Sequence, residues 1–190
     1  MEEKNKIFLL SLARRTIEEY SRFGTRIAIQ GADLPFQFVK TLLIKQGVFV
    51  TLTKNHELRG CVGSLIGQKS LYQEVIDNVI NAGFNDYRFS RLQLEELPNI
   101  KIEISILSPL TILKQSSSLE LVQWLGKKKP GIYLKLGNNS ATFLPQVWEE
   151  IKSPAEFLSQ LCIKAGLKKN DWQNSQMNFW YYNVESFKEN

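Results

Sequence analysis

Hydrophobic positions along the chain repeat with a helical period in the first segment and with a strand period further on. Between Asn5 and about Phe23, apolar residues recur every three or four positions and charged residues lie between them. This spacing predicts an amphipathic helix, which Gly24 is expected to end. The segment 25–37 contains turn-forming glycine, aspartate and proline, so we predict a connecting loop there.

Strands are predicted where apolar and polar residues alternate between turn-forming residues. The clearest case is 100–106, where isoleucine occupies every second position, as in a half-buried strand. The complete strand prediction is a hairpin of 48–53 and 58–65 around a turn at 54–57, the strand over 100–106, a second hairpin of 131–137 and 140–144, and a final strand over 179–184.

Two other stretches carry helix start signals. Ser70 is the predicted N-cap of a helix that runs to about Gly83. The segment 153–156 combines an N-cap serine, a proline at the first helical position and a capping-box glutamate, and predicts a helix to Gly166. A short helix is predicted over 119–125. Because helices and hairpins mix without strict βαβ alternation, the sequence predicts an α+β fold with a mostly antiparallel sheet flanked by helices.

The composition is that of an ordinary soluble globular protein, with 43% hydrophobic and 23% charged residues. A length of 190 residues suits one domain with a modest sub-lobe, so we predict a single domain over 1–190. The net charge of +5 is too small to indicate a nucleic-acid-binding protein. Cys61 and Cys162 form no Cys-x-x-Cys pair, which favours a cytoplasmic location with a reducing environment. No signal peptide or membrane span is predicted.

The octet 58–65 is where the sequence predicts a site. It places Cys61 between Gly60 and Gly63, with Arg59 two positions before the cysteine. Because successive strand side chains point to opposite faces, we expect Arg59, Cys61 and Gly63 on one face, and Leu58, Gly60 and Val62 on the other. A thiol would then lie beside a guanidinium, and the glycines would let a ligand approach the backbone N–H groups.

Two interpretations of Cys61 remain open. The thiol acts as a nucleophile or a covalent carrier, because nearby positive charge and exposed backbone donors favour the reactive thiolate. Alternatively it packs as a small apolar residue, as free cysteines often do. No base is visible, because His56 is the only histidine and, at about 3.3 Å per strand residue, lies roughly 16 Å from Cys61.

Polar residues elsewhere extend the candidate ligand-binding site. Arg59 either clamps a carboxylate or phosphate with its planar fork or forms an ion pair with a structural acid, for which Asp86 is the first candidate. Asp86 and Arg88 follow a predicted helix end, where they either line the same cleft or tie down a loop. Gln146 either reads an amide or a base edge or bonds a neighbouring backbone group.

Other kinds of site find little support in the sequence. One histidine and two distant cysteines leave only carboxylates as abundant ligands, so we predict no metal site. The sequence has no Walker loop, dinucleotide fingerprint or Gly-x-Ser-x-Gly elbow, and we predict no cofactor. Lys127–Lys129 is expected to be a solvated loop rather than a nucleic-acid interface.

Four ordered motifs resemble the AMMECR domain family and span roughly residues 5–187. They are Gly47–Leu52 with Leu58–Gly63, Asp86–Phe89 with Leu94–Pro98, Phe143–Trp148, and Phe157–Leu158 with Leu161–Leu167.

The resemblance implies an α+β domain with a smaller helical lobe, often found beside a Memo-type protein and a radical-SAM protein in what is called the AmmeMemoRadiSam system. It implies no settled reaction, so enzyme activity stays open. Our leading hypothesis is a cytosolic protein whose cleft binds or acts on a small anionic ligand. The alternative is an interaction module for a Memo-like or radical-SAM partner, and nucleic-acid binding ranks last. The cleft would be lined by Arg59, Gly60, Cys61, Gly63, Asp86 and Arg88.

Overall fold

Helices and antiparallel strands occur together in each of the two units into which the chain divides. Unit 1 is Met1–Leu107 with Glu185–Asn190, and unit 2 is Ser108–Val184. The structure is a computed structural model that describes residues 1–114 and 117–189. Residues 115, 116 and 190 of the predicted domain lie outside the described residues. The α+β class predicted from the sequence is confirmed.

Unit 1 buries one face of its sheet beneath helices. The isoleucines of the strand over 100–106 lie on this face and join one core with apolar residues of the first and third helices. The elements of unit 1 are α1 (Glu3–Phe23), α2 (Phe36–Leu42), α3 (Leu71–Phe84), β1 (Val48–Lys54), β2 (Glu57–Ser64), β3 (Ile100–Leu107), β8 (Val184–Lys188), and the 3-10 helices Gly31–Asp33 and Leu94–Asn99. The sheet order is β2-β1-β3-β8, so β2 is an edge strand.

Unit 2 contains a sheet as well as helices, so the strands predicted as one sheet divide between two. Its core includes the ring of Trp148, stacked on Phe157 with 3.8 Å between centroids. Its elements are β4 (Thr111–Ile112), α4 (Ser118–Lys128), β5 (Gly131–Leu136), β6 (Asn139–Phe143), α5 (Val147–Glu150), α6 (Pro154–Lys164), the 3-10 helix Asp171–Gln173, and β7 (Asn178–Tyr182). The sheet order is β4-β7-β5-β6.

The predicted helix ends are confirmed where local chemistry is strong. Gly24 ends α1 with φ 69°, and its N–H donates to Tyr20 O at 2.9 Å. Ser153 precedes α6 and accepts a hydrogen bond from the Glu156 N–H at 3.4 Å. Such caps bond backbone groups that the helix itself leaves free.

Three local predictions are wrong in detail. The segment 25–37 holds a 3-10 helix and the start of α2, whose Leu42 is buried, because tertiary packing can stabilise a helix that is too short to form alone. The predicted final strand ends at Tyr182, and β8 continues in the other sheet. Lys127 and Lys128 lie in the last turn of α4 rather than in a loop, where positive charge complements the helix dipole. Within residues 1–114 and 117–189, no helix is long and apolar enough to cross a membrane.

Candidate functional site: the edge of strand β2 at Cys61

Cys61 lies on the open edge of the unit 1 sheet, where one side of the strand has no neighbouring strand to bond. Its N–H donates to Asp86 Oδ2 at 2.9 Å, and its C=O accepts a hydrogen bond from Arg88 Nη2 at 3.1 Å. The carboxylate and the guanidinium therefore bond the backbone groups that another strand would bond. Two side chains from a loop thus fix the backbone at Cys61.

Asp86 and Arg88 also bind each other in a two-point ion pair. Arg88 Nε donates to Asp86 Oδ1 at 2.9 Å, and Arg88 Nη2 donates to Oδ2 at 2.7 Å. The side chain of Asp86 is only 4% exposed. Hydrogen bonds from the Arg88 side chain, and from the N–H of Cys61, hold the pKa of Asp86 well below its usual range despite this burial. The carboxylate is therefore ionised at neutral pH.

The sulfur of Cys61 lies on the sheet face that α1 and α3 do not cover. Cys61 is paired with Thr51 of β1, and Thr51 Oγ1 donates to Sγ at 3.2 Å. Cys61 is half-buried, whereas Cys162 of unit 2 is fully buried. Burial raises the pKa of the Cys162 thiol to about 11, so that thiol is protonated at neutral pH. Of the two cysteines, Cys61 is the one that solvent can reach.

A β-bulge in β2 changes the faces expected from simple alternation. Gly60 pairs with Leu52 and Leu58 pairs with Thr53, so Arg59 is an extra residue with no partner on β1. Leu52 and Thr53 are adjacent and face opposite sides of the sheet. The prediction that Leu58 shares a face with Gly60 is therefore wrong, because the inserted residue shifts the alternation.

Arg59 forms an ion pair, but the predicted partner, Asp86, is wrong. Arg59 Nε and Nη2 each donate to one oxygen of Glu96 at 3.0 Å, and Lys54 Nζ donates to Glu96 Oε1 at 2.9 Å. The hydrogen bonds from Arg59, followed by those from the Gln93 N–H and Lys54, lower the pKa of Glu96 to about 2. The guanidinium that contacts Cys61 thus belongs to Arg88, and Arg59 joins β2 to the 3-10 helix at Leu94–Asn99.

Both glycines of the motif have a packing role. A Cβ at Gly60 would lie 2.0 Å from the carbonyl oxygen of Ala82 in α3, and a Cβ at Gly63 would lie 2.5 Å from the ring of Phe49. Close approach of neighbouring groups therefore requires glycine at both positions. The predicted ligand access over these glycines does not follow, because protein atoms fill that space.

Thr51 and Glu96 are parts of the site that the sequence did not predict. Glu96 lies in a motif that the sequence analysis quoted, but nothing local pairs it with Arg59, and the bulge hides the pairing of Thr51 with Cys61. Gln146 is exposed and lies immediately before α5 in unit 2. Among the described residues, no three His, Cys, Asp or Glu side chains are grouped to hold a metal ion.

Comparison with known proteins identifies the class first by fold. The structure of an uncharacterized protein, PH0010 of Pyrococcus horikoshii, superposes with a TM-score of 0.84 and 31% sequence identity, covering 100% of this chain and 93% of that one. The chain is thus an α+β protein of a known architecture with a thiol at the edge of one sheet.

Sequence comparison then gives the family. The AMMECR1 family model matches residues 10–187, and the chain belongs to that family. Protein PAE0745 of Pyrobaculum aerophilum is 35% identical over 187 residues, covering 96% of this chain and 85% of that protein. Protein NEQ441 of Nanoarchaeum equitans is 34% identical over 185 residues, covering 95% and 98% respectively. These names state no ligand, reaction or partner.

Proposed function

We propose that the edge of β2 at Cys61 binds a small anionic ligand, with Arg88 as the cation that receives it. The observation that carries the proposal is the position of Arg88. Its Nε and Nη2 are bonded to Asp86 and to the Cys61 carbonyl, while its side chain is 45% exposed. Its Nη1 bonds no residue that the structure describes. A guanidinium held on one edge presents its other edge in a fixed orientation, which reduces the entropy lost on binding.

The charges along β2 balance, so the orientation of Arg88 carries the proposed anion site. Lys54, Arg59 and Arg88 carry positive charge, and Glu96 and Asp86 carry negative charge. The lowered pKa values of both carboxyls keep them ionised at neutral pH. Glu57, also in β2, adds a third negative charge, so the three positive charges have three negative counterparts. An anion would therefore be attracted by the outward edge of Arg88 rather than by a net charge of the cluster.

The thiol lies beside the proposed anion site. Arg88 bonds the carbonyl of Cys61 itself, so an anion on Arg88 would lie near the residue that carries the thiol. Thr51 donates a hydrogen bond to that sulfur and orients it. The alkylation rate of Cys61 therefore serves as a reporter of the charge on Arg88.

Paired alkylating reagents test the proposal. Iodoacetate is anionic and iodoacetamide is neutral, so the ratio of their rates at Cys61 reports the local field. Replacing Arg88 by Gln should lower this ratio about fivefold, because one charge at about 4 Å contributes about 1 kcal/mol in water. The iodoacetamide rate of the same variant shows whether the thiol has stayed equally accessible.

Two further variants sharpen this test. Arg91→Gln removes a nearby exposed charge that lies over the Phe84 ring, and it should leave the ratio unchanged. Arg88→Lys keeps the charge and should keep most of the preference for iodoacetate. Equal ratios in Arg88→Gln and the unmodified chain would refute the anion site.

A second candidate function, docking on a protein partner, is favoured by Tyr87. Its side chain is 96% exposed, although it lies between Asp86 and Arg88, which are both bonded to β2. The Phe89 N–H donates to Asp86 O at 3.0 Å and closes the turn. A rigidly presented tyrosine is typical of the residues that contribute most to protein interfaces.

Co-expression tests the docking function against the ligand function. A Memo-like and a radical-SAM protein from the same genome are each produced with the tagged chain, and the recovered ratio is measured. Docking through this turn predicts a stoichiometric complex that Tyr87→Ala abolishes and Tyr133→Ala in unit 2 does not. Failure of both proteins to co-purify would remove this candidate and leave the anion site untouched.

A further inference from the structure

A groove of about 520 Å³ lies in unit 1 between α1, the 3-10 helix Leu94–Asn99 and the start of β3. Its lining does not include Cys61, Asp86 or Arg88. Its volume falls in the range of about 300–1,000 Å³ that is usual for small-molecule sites. We propose that this groove binds an amphipathic anion, with an apolar body on the 3-10 helix and an anionic head at Arg22.

The groove has an apolar floor that is open to solvent. Leu97 and Ile100 are buried beneath it, while Leu94 is 44% exposed and Pro98 is exposed beside it. An exposed leucine alone means little, but one that lies in a concave surface offers apolar area to a ligand. The body of the ligand would therefore be a short hydrocarbon chain or a ring.

One wall of the groove is fixed and electrically neutral. Arg14 donates to both oxygens of Glu189 and to the carbonyl oxygens of Leu97 and Ile100. These bonds use four of the five N–H donors of its guanidinium, so Arg14 holds the local structure together. The same pair joins α1 to Glu189, the residue after β8, and the Ile102 N–H of β3 also donates to Glu189.

Arg22 is the residue that would bind the anionic head group of the ligand. It lies in the last turn of α1, its side chain lines the groove, and no described residue forms an ion pair or hydrogen bond with it. Lys101 and Glu18 line the groove with opposite charges, so Arg22 is the cation to which an anionic head group would bind. A free guanidinium above an apolar floor fits a carboxylate or sulfonate with a hydrophobic body.

A fluorescent amphipathic anion provides the probe. The naphthalene sulfonate dye ANS should bind the native chain with a saturable rise in fluorescence, and octanoate should displace it. Arg22→Gln should weaken the dye's affinity about fivefold, since one exposed charge at close range contributes about 1 kcal/mol. Leu94→Ser should weaken the binding of dye and of octanoate together.

Arg15→Gln is the matched control. Arg15 lines a neighbouring surface groove, which Glu18 and Arg22 also line, but it does not line the proposed groove. Its loss should therefore leave the dye's affinity unchanged. The absence of saturable binding, or equal affinity in Arg22→Gln and Arg15→Gln, would overturn the proposal. Because Arg22 is exposed at a helix end, neither variant is expected to unfold the chain. The melting temperature of each variant should therefore match that of the unmodified chain.

Discussion

One inserted residue determines which side chains meet around Cys61. Strict alternation places Arg59 and Cys61 together, whereas the bulge at Arg59 directs that side chain to Glu96 and leaves Cys61 beside Thr51. Arg88, from a loop after α3, then supplies the guanidinium at Cys61. The chemistry of the site therefore depends on a contact between residues 27 positions apart in the chain.

Gly60 provides a direct test of packing between β2 and α3. Gly60→Ala adds a Cβ that would lie 2.0 Å from a backbone oxygen of α3, so helix and strand must separate. We expect this variant to lose about 1–3 kcal/mol of the free energy of unfolding, measured by urea denaturation. Gly126→Ala, within helix α4, has its nearest neighbour at 3.4 Å and should be neutral or stabilising. Equal stability of Gly60→Ala and the unmodified chain would contradict the close approach.

Glu96 should make stability depend on pH in the acid range. Hydrogen bonds from Arg59 lower the pKa of Glu96 from 4.5 to about 2 in the folded state. Ionised Glu96 therefore contributes fully to the stability of the fold at pH values above 4.5. That contribution is lost as pH falls from about 4.5 towards 2. Glu96→Gln should remove about 1–2 kcal/mol of the decrease in unfolding free energy over this window.

Glu95→Gln is the control for this pH dependence. Glu95 is exposed and adjacent in the chain, so its replacement should keep the acid decrease of the unmodified chain. If both variants give the same pH profile, the Arg59–Glu96 pair does not stabilise the fold.

Among the elements, the β1–β2 hairpin is set by a two-residue turn. Asn55 and His56 have φ values of 52° and 68°, the left-handed region that a tight hairpin requires at both positions. Alternation predicts the hairpin with a turn over 54–57, which is one residue too long at each end. Turn geometry was missed because histidine, unlike glycine, gives no signal for positive φ.

Replacing His56 by Gly should stabilise this hairpin. Glycine adopts positive φ without the Cβ penalty, so we expect a gain of about 0.5 kcal/mol in the free energy of unfolding. His56→Ala keeps the Cβ and should show no gain. A loss of stability in His56→Gly relative to His56→Ala, measured by thermal denaturation, would contradict a positive φ at this position.

At the scale of the whole molecule, the two units have separate cores and the sequence predicts them unequally. Strong local signals, such as the alternation over 100–106 and the caps of α1 and α6, predicted the elements correctly. The division of strands between two sheets was missed, because sheet membership depends on pairing between residues far apart in sequence. The short α5 and β4 were missed because four or two residues carry no period.

The same distinction explains the candidate site. Cys61 was singled out from its local motif, and Asp86 and Arg88 were named beside it, yet the pairings among them were not predicted. Asp86 bonds Arg88 and the edge of β2 instead of Arg59. Local sequence thus indicates which residues carry chemistry, and long-range packing decides which of them meet.

The most direct test of the anion site is a titration with inorganic phosphate, followed by amide NMR on the labelled chain. We predict saturable shifts of the Cys61 N–H and the Arg88 Nε–H. The Cys61 shift should be lost in Arg88→Gln, and both shifts should be retained in Arg91→Gln. The anion site at this edge of the sheet would be contradicted if the Cys61 N–H signal did not shift on addition of phosphate, or if it shifted equally in Arg88→Gln and the unmodified chain.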